Sequence, residues 1–173
     1  MLALEGEVAD VYLSPGESHL ARVPTVIRTI LGSCVGASFW HPGLRIGALC
    51  HAQLPRTPAN SAGKLTPAVG HRYVDFAIRD LVRQLEELGA HRSQLEVKLF
   101  GGADVLLVTN PSLATVGRMN CEMALEVVEA EGLHLAASSL GGVSGLNIKF
   151  FTATGEVQVR RMRRVLSEGI EGE

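Results

Sequence analysis

The chain has 173 residues, 16 Lys and Arg against 18 Asp and Glu, a formal net charge of −2 and 46% hydrophobic content. That balance excludes a disordered chain, a collagen-like repeat and the basic footprint of a nucleic-acid binder. A chain of about 150 residues buries roughly 68–70% of its unfolded surface, so one hydrophobic core without metal or disulfide staples is expected. We read a single domain over 1–163 and a frayed tail over 164–173.

The first elements are two apolar runs, Val8–Leu13 and Val26–Leu31, read as strands separated by Ser14-Pro15-Gly16 and Pro24. Cys34–Trp40 and Arg45–Leu54 flank Pro42-Gly43 and are read as a hairpin. The Pro-, Ser- and Gly-rich segment Pro55–Lys64 is an expected exposed loop. Thr66-Pro67 supplies an N-cap and a first-turn proline, and Val69, Tyr73, Phe76, Ala77, Leu81, Leu85 and Leu88 follow at helical spacing until Gly89.

Leu95–Leu99 alternates as a strand and runs into Gly101-Gly102. Thr115 then opens a second amphipathic helix through Met119, Met123, Val127 and Ala130 to Gly132. A strand at Leu133–Ser139, the pair Gly141-Gly142 and a hairpin of Leu146–Phe151 with Val157–Met162 close the chain. This order predicts an α/β (α+β) sandwich: a mixed, largely antiparallel sheet with two main helices.

Cys34, Cys50 and Cys121 are odd in number and lack CxxC spacing, which suits a reducing cytoplasm and neither a disulfide framework nor a zinc site. Glu5, Glu7 and Asp10 stand where an export signal needs a basic start. The uncharged stretches are shorter than the ~20 residues of a membrane-spanning helix, so membrane insertion is not expected. His19, His41, His71, His91 and His134 show no metal-ligand spacing and are assigned to surface or turn positions. Neither glycine pair forms a phosphate-binding loop, so both are read as tight turns or sites of close backbone packing. No metal or cofactor is expected.

A turn pairing Trp40 with Arg45 would set Cys34 directly opposite His51, with Cβ atoms about 4.5–5.5 Å apart. In that register Val35, Ala37, Phe39, Ile46, Ala48, Cys50, Ala52 and Leu54 face the core. Cys34, Gly36, Ser38, Trp40, Arg45, Gly47, Leu49, His51 and Gln53 form a mixed surface with room for a ligand. A thiol beside an imidazole is the constellation of nucleophilic acyl transfer. Gly32-Ser33 lets the chain turn tightly and present amides to an oxyanion. Cys50, on the core face, and Cys121, in a helix, are read as small apolar residues.

The runs Leu31-Gly-Ser-Cys-Val35 and Ile46-Gly-Ala-Leu-Cys-His-Ala-Gln-Leu-Pro55 carry a resemblance, together with Tyr73-Val-Asp75, Lys98-Leu-Phe-Gly-Gly-Ala103, Val116-Gly-Arg-Met-Asn120, Gly141-Gly142 and Thr154-Gly-Glu-Val-Gln-Val159. Together they resemble the CheD family of chemoreceptor glutamine deamidases, over nearly the whole chain. The resemblance implies a sandwich like that of bacterial toxin deamidases, Cys34 as nucleophile, His51 as general acid and base, and Thr29 orienting the histidine. It implies hydrolysis of receptor glutamines to glutamate without a cofactor, on the cytoplasmic helices of chemotaxis receptors. It also implies a CheC-type phosphatase partner offering a receptor-like helix to the same site. Leu146 departs from it, standing where many relatives have arginine. Two other readings keep the same residues: a non-catalytic regulator that binds receptor or phosphatase, and a receptor glutamyl methylesterase.

Overall fold

A computed structural model describes residues 6–61, 63–105 and 112–163; the expected tail at 164–173 lies outside these. Nine strands are present among them: β1 (Ala9–Tyr12), β2 (Ser18–Ala21), β3 (Thr25–Leu31), β4 (Val35–His41), β5 (Ile46–Ala52), β6 (Glu96–Gly101), β7 (His134–Leu140), β8 (Leu146–Phe151) and β9 (Val157–Arg161). Three α-helical segments accompany them: α1 (Pro67–Gly70), α2 (Val74–Glu87) and α3 (Val116–Ala130).

The strands form two mixed sheets, in the orders β1-β3-β8-β9 and β2-β5-β4-β6-β7. The β1–β3 and β6–β7 pairs are parallel and the others antiparallel. The result is the α+β sandwich expected of the sequence. Val35, Ala37, Phe39, Ile46, Ala48, Cys50 and Ala52 turn one face of the central β4–β5 pair toward α2 and α3, where they meet Ile78, Leu81, Leu85, Ala124 and Val127 in the main core. Small alanines on that face let the helices approach closely.

The opposite face of β4–β5 was expected to be a surface. It is instead largely covered by the four-stranded sheet: Leu49 packs against Leu13, Ile27 and Phe150, and the half-buried Trp40 sits against the same cluster. The glycine that looked like room for a ligand is room for a ring, since a Cβ at Gly47 would stand 3.0 Å from Phe150 Cζ. At one end of this face Cys34 is half-buried against the cluster of Leu31, Phe100, Leu146 and Ile148.

Three local expectations need correction. The hairpin register is displaced by two residues: Trp40 pairs with Gly47 and His41 with Ile46, so Gly36, not Cys34, stands opposite His51. The turn keeps its four residues but slides one position along the chain, to Pro42–Arg45, where buried His41 organises it, its Nδ1 accepting from Leu44 N at 3.0 Å, while Arg45 takes a left-handed φ of 51°. A displacement of two preserves which face each side chain occupies.

The first helix also breaks, at His71–Tyr73, into α1 and α2. Arg72 O there accepts from Gln53 N and Leu54 N at 2.9 and 3.0 Å, and Val74 N donates to Leu54 O at 2.8 Å, drawing the chain onto the end of β5. Finally, Ser18–Ala21, read as connection, is an edge strand paired with Gly47–Cys50. The second helix is as expected, capped by Thr115, whose Oγ1 accepts from Arg118 N at 3.2 Å.

Candidate active site

Strand β3 ends at Leu31 in one sheet and β4 begins at Val35 in the other, so Gly32, Ser33 and Cys34 form the entire crossing between them. Each of the three carbonyls accepts a hydrogen bond. Gly32 O receives Ala103 N at 2.9 Å, Ser33 O receives Asn120 Nδ2 at 2.9 Å, and Cys34 O receives Gly102 N at 2.8 Å. In a trans peptide the C=O and the following N–H point apart, so these bonds turn the Ser33 and Cys34 amides the other way. Half-buried Cys34 is therefore carried on a backbone with little freedom.

The glycine pair at the end of β6 makes this possible. Gly101 has a φ of 94°, and a Cβ built there would lie 2.2 Å from Cys34 O. The expectation of close backbone packing at Gly101-Gly102 holds. The second pair joins the first through Gly141 N, which donates to Gly101 O at 2.8 Å.

His51 lies on the intersheet face of β5 and is 2% exposed. Its backbone N donates to Glu17 O at 2.9 Å and its carbonyl accepts from Gly16 N at 2.7 Å, which prolongs the β2 pairing beyond the strand. Because Gly36 stands opposite, Cys34 is the diagonal neighbour of His51. Such a diagonal separates backbones by about 7–8 Å, within reach of long side chains, and Gly36 places no side chain between them.

Thr29, in the middle of β3 and fully buried, reaches across from the other sheet. Its Oγ1 is 2.7 Å from His51 Nδ1 and donates to Leu13 O at 2.9 Å. A hydroxyl has one hydrogen. With that hydrogen committed to Leu13, Nδ1 must be the donor to Thr29, and the lone pair of the neutral ring is left on Nε2.

Burial decides the charge states. It lowers the His51 pKa from 6.5 to about 4, with the Glu17 carboxylate only partly opposing it. It raises the Cys34 thiol above its ordinary value, partly offset by the residue's own amide. At neutral pH the pair is thus a thiol beside a neutral imidazole rather than an ion pair.

Cys50 is buried, with its thiol pushed up to about 12 by burial. Cys121 is half-buried in α3, its Sγ directed at the carbonyls of Gly101 and Gly102 at 3.7 and 3.5 Å. A recess of about 240 Å³ opens beside Ser33, lined also by Ala103, Asp104, Val105, Thr115, Val116 and Gly117. Leu146 is 5% exposed and belongs to the apolar cluster of Leu31, Phe100 and Ile148 against which Cys34 packs.

A profile described as CheD chemotactic sensory transduction matches residues 53–161. The chain belongs to the CheD family. It is similar to the probable chemoreceptor glutamine deamidase CheD 2 of Geobacter sulfurreducens, 41% identical over 95% of this chain and 97% of that protein. It is also similar to the probable chemoreceptor glutamine deamidases CheD of Maridesulfovibrio salexigens, 37% identical over 92% and 96% of the two chains, and of Pseudomonas fluorescens, 39% identical over 87% and 84%. The CheD assignment therefore covers nearly the whole chain, as the motif resemblance implied.

Sequence reasoning overlooked two features of this CheD structure. Asn120, on the buried face of α3, was quoted within a motif and given no task. Its signal was an amide among apolar helix positions. The histidines at 41 and 71 are not at the surface but 6% exposed. His71 is hydrogen-bonded to Ser18 Oγ and, through Nε2, to Asp80 Oδ2 at 2.7 Å, a chain that ties α1 and α2 to the edge strand β2. Among the described residues no group of side chains has the makeup of a metal site, and no helix is long and apolar enough to cross a membrane.

Proposed function

We propose that this chain hydrolyses glutamine side-chain amides of methyl-accepting chemotaxis receptors to glutamate, with Cys34 as nucleophile, His51 as general base and acid, and Thr29 as the residue that orients His51. The observation that carries the reading is the Leu13–Thr29–His51 hydrogen-bond chain, which leaves the Nε2 lone pair free on the face that Cys34 shares. Family membership and the names of the relatives supply the substrate class.

In the acylation step Sγ attacks the amide carbon while its proton passes to His51 Nε2. The negative charge gathers on the former carbonyl oxygen, where the Ser33 and Cys34 amides can donate. The imidazolium returns the proton to the nitrogen, ammonia leaves and a thioester remains. Water attacks the thioester as His51 takes its proton, glutamate is released and the proton returns to Sγ. A neutral base with a depressed pKa suits this cycle, because the imidazolium gives up its proton readily to the leaving amine.

The recess beside Ser33 receives the receptor helix around the target glutamine. The site works in the cytoplasm, where the receptor helices lie, and a CheC-type phosphatase competes for it by offering a similar helix.

The test is peptide mass spectrometry of receptor cytoplasmic fragments incubated with the native chain, Cys34→Ala and His51→Ala. Conversion by the native chain alone, with ammonia released, is expected. Conversion that persists in Cys34→Ala overturns the thiol mechanism. Release of methanol from methylated fragments without ammonia would make the chain a methylesterase, and signalling effects that survive Cys34→Ala would make it a binding regulator.

A further inference from the structure

The geometry points to Asn120 as the positioning residue that aims the oxyanion-stabilising amide, an inference that rests on the active-site reading above. Asn120 is fully buried in α3, and both hydrogens of its Nδ2 are used. One goes to Ser33 O at 2.9 Å and the other to Gln53 O at 3.0 Å. Ser33 precedes the nucleophile directly, and Gln53 lies two residues beyond His51. One side chain from the helix layer thus holds together two segments that no β-ladder joins at that point.

The first bond has the more specific consequence. Ser33 C=O and Cys34 N–H belong to one planar trans peptide, so fixing the carbonyl fixes the N–H in the opposite direction. The flanking units are held by backbone donors: Ala103 N bonds Gly32 O and Gly102 N bonds Cys34 O. The peptide between Ser33 and Cys34 is the only one of the three whose orientation depends on a side chain. An amide that must point at a developing oxyanion before the charge appears needs such preorganisation.

A second observation argues against a purely stabilising role. Asn120 Oδ1 is buried with no hydrogen-bond partner. A buried acceptor without a donor destabilises the fold, and an apolar residue packed into α3 would avoid that cost. The asparagine gains its place through what its nitrogen does at Ser33 and Gln53. It touches no substrate atom and is not itself a catalytic residue.

The experiment compares native chain, Asn120→Ala, the isosteric Asn120→Asp and Cys34→Ala on receptor fragments, reading kcat and KM for deamidation and the rate of Cys34 alkylation by iodoacetamide. Alkylation forms no oxyanion, so it reports the thiol without the amide. The Asn120 variants are expected to lose about 10²- to 10³-fold in kcat, the loss typical of removing an oxyanion donor, with KM and alkylation rate within about threefold of native. Native kcat in a folded Asn120→Ala, or alkylation falling in parallel with kcat, overturns the positioning role while the deamidase reading stands. A native chain without Cys34-dependent conversion overturns both. Should neither variant fold, the native Asn120 side-chain protons decide. Exchange as slow as core amides supports the clamp, and exchange as fast as a surface asparagine overturns it.

Discussion

Thr29 Oγ1 stands 2.7 Å from His51 Nδ1 while giving its own hydrogen to Leu13 O, so a buried threonine of one sheet sets the tautomer of a histidine in the other. Removing the hydroxyl leaves Nδ1–H and the Leu13 carbonyl without partners and frees the ring to place its proton on Nε2. Thr29→Val, close in shape, is expected to reduce kcat about 10- to 100-fold, a part of what general acid–base catalysis supplies. It should also cost about 1–3 kcal/mol of stability for the orphaned groups. Thr29→Ser should restore most of the rate. Nitrogen-15 spectra of His51 check the cause: Nδ1 protonated in the native chain, mixed tautomers in Thr29→Val.

The pH profile follows from burial at the same site. His51 titrates at about 4 rather than 6.5, and the Cys34 thiol is raised. The acid limb of kcat/KM should therefore lie well below neutrality, and activity should stay level through neutral pH until the thiol ionises on the alkaline side. An acid limb near 6.5 would place the imidazole in water and contradict the buried geometry. Stability has the same origin: between about 6.5 and about 4 the unfolded His51 is protonated and the folded one is not. The unfolded state then binds more protons, so His51 makes stability fall as pH drops through that window.

Gly101 and Gly155 separate site from scaffold. Both have positive φ, 94° and 77°, but a Cβ at Gly101 meets Cys34 O at 2.2 Å whereas one at Gly155 meets the Trp40 ring at 2.4 Å. The left-handed backbone alone costs a non-glycine residue about 1–2 kcal/mol. Both alanine variants should thus melt several degrees lower, at about 2–4 °C per kcal/mol for a chain of this size. Only Gly101→Ala should also slow Cys34 alkylation and deamidation in the folded fraction, since only there must the backbone of Cys34 move.

The pattern of what was legible follows from what is local. The alternation in Val35–Trp40 and Ile46–Ala52 placed every side chain on its proper face, because parity survives a register displacement of two. The register itself depended on where the four-residue turn closes, which is set by a bond from Leu44 N to the His41 side chain that no turn dipeptide signals. The break between α1 and α2 depends on hydrogen bonds from Gln53 and Leu54, distant in sequence, and Ser18–Ala21 is a strand only because β5 offers an edge. At the site, the hairpin alternation put Cys34 and His51 on one face but set them directly opposite each other, where Gly36 stands instead. The clamp at Asn120 joins a helix to two segments 87 and 67 residues away, and such contacts leave no periodic trace.

Asp80 offers a test of the scaffold remote from the thiol. Its carboxylate accepts from Arg83 Nη2 at 2.6 Å and Gln84 Nε2 at 2.7 Å and is hydrogen-bonded to His71 Nε2 at 2.7 Å. Burial works to raise its pKa, but the bonds from Arg83, His71 and Gln84 together hold it below the ordinary carboxylate range. A carboxyl with a depressed folded pKa contributes stability above its unfolded value and loses that contribution as pH falls through the folded one. Asp80→Asn is expected to lower the unfolding free energy at pH 7 by about 1.5–3 kcal/mol, the range for hydrogen bonds to a charged group. The gap from native should narrow in acid, where the native carboxyl is itself protonated. Denaturant titrations of both chains at neutral and acidic pH check this. Equal gaps at the two pH values would mean that packing, not the carboxylate's charge, holds α1 and α2 to β2.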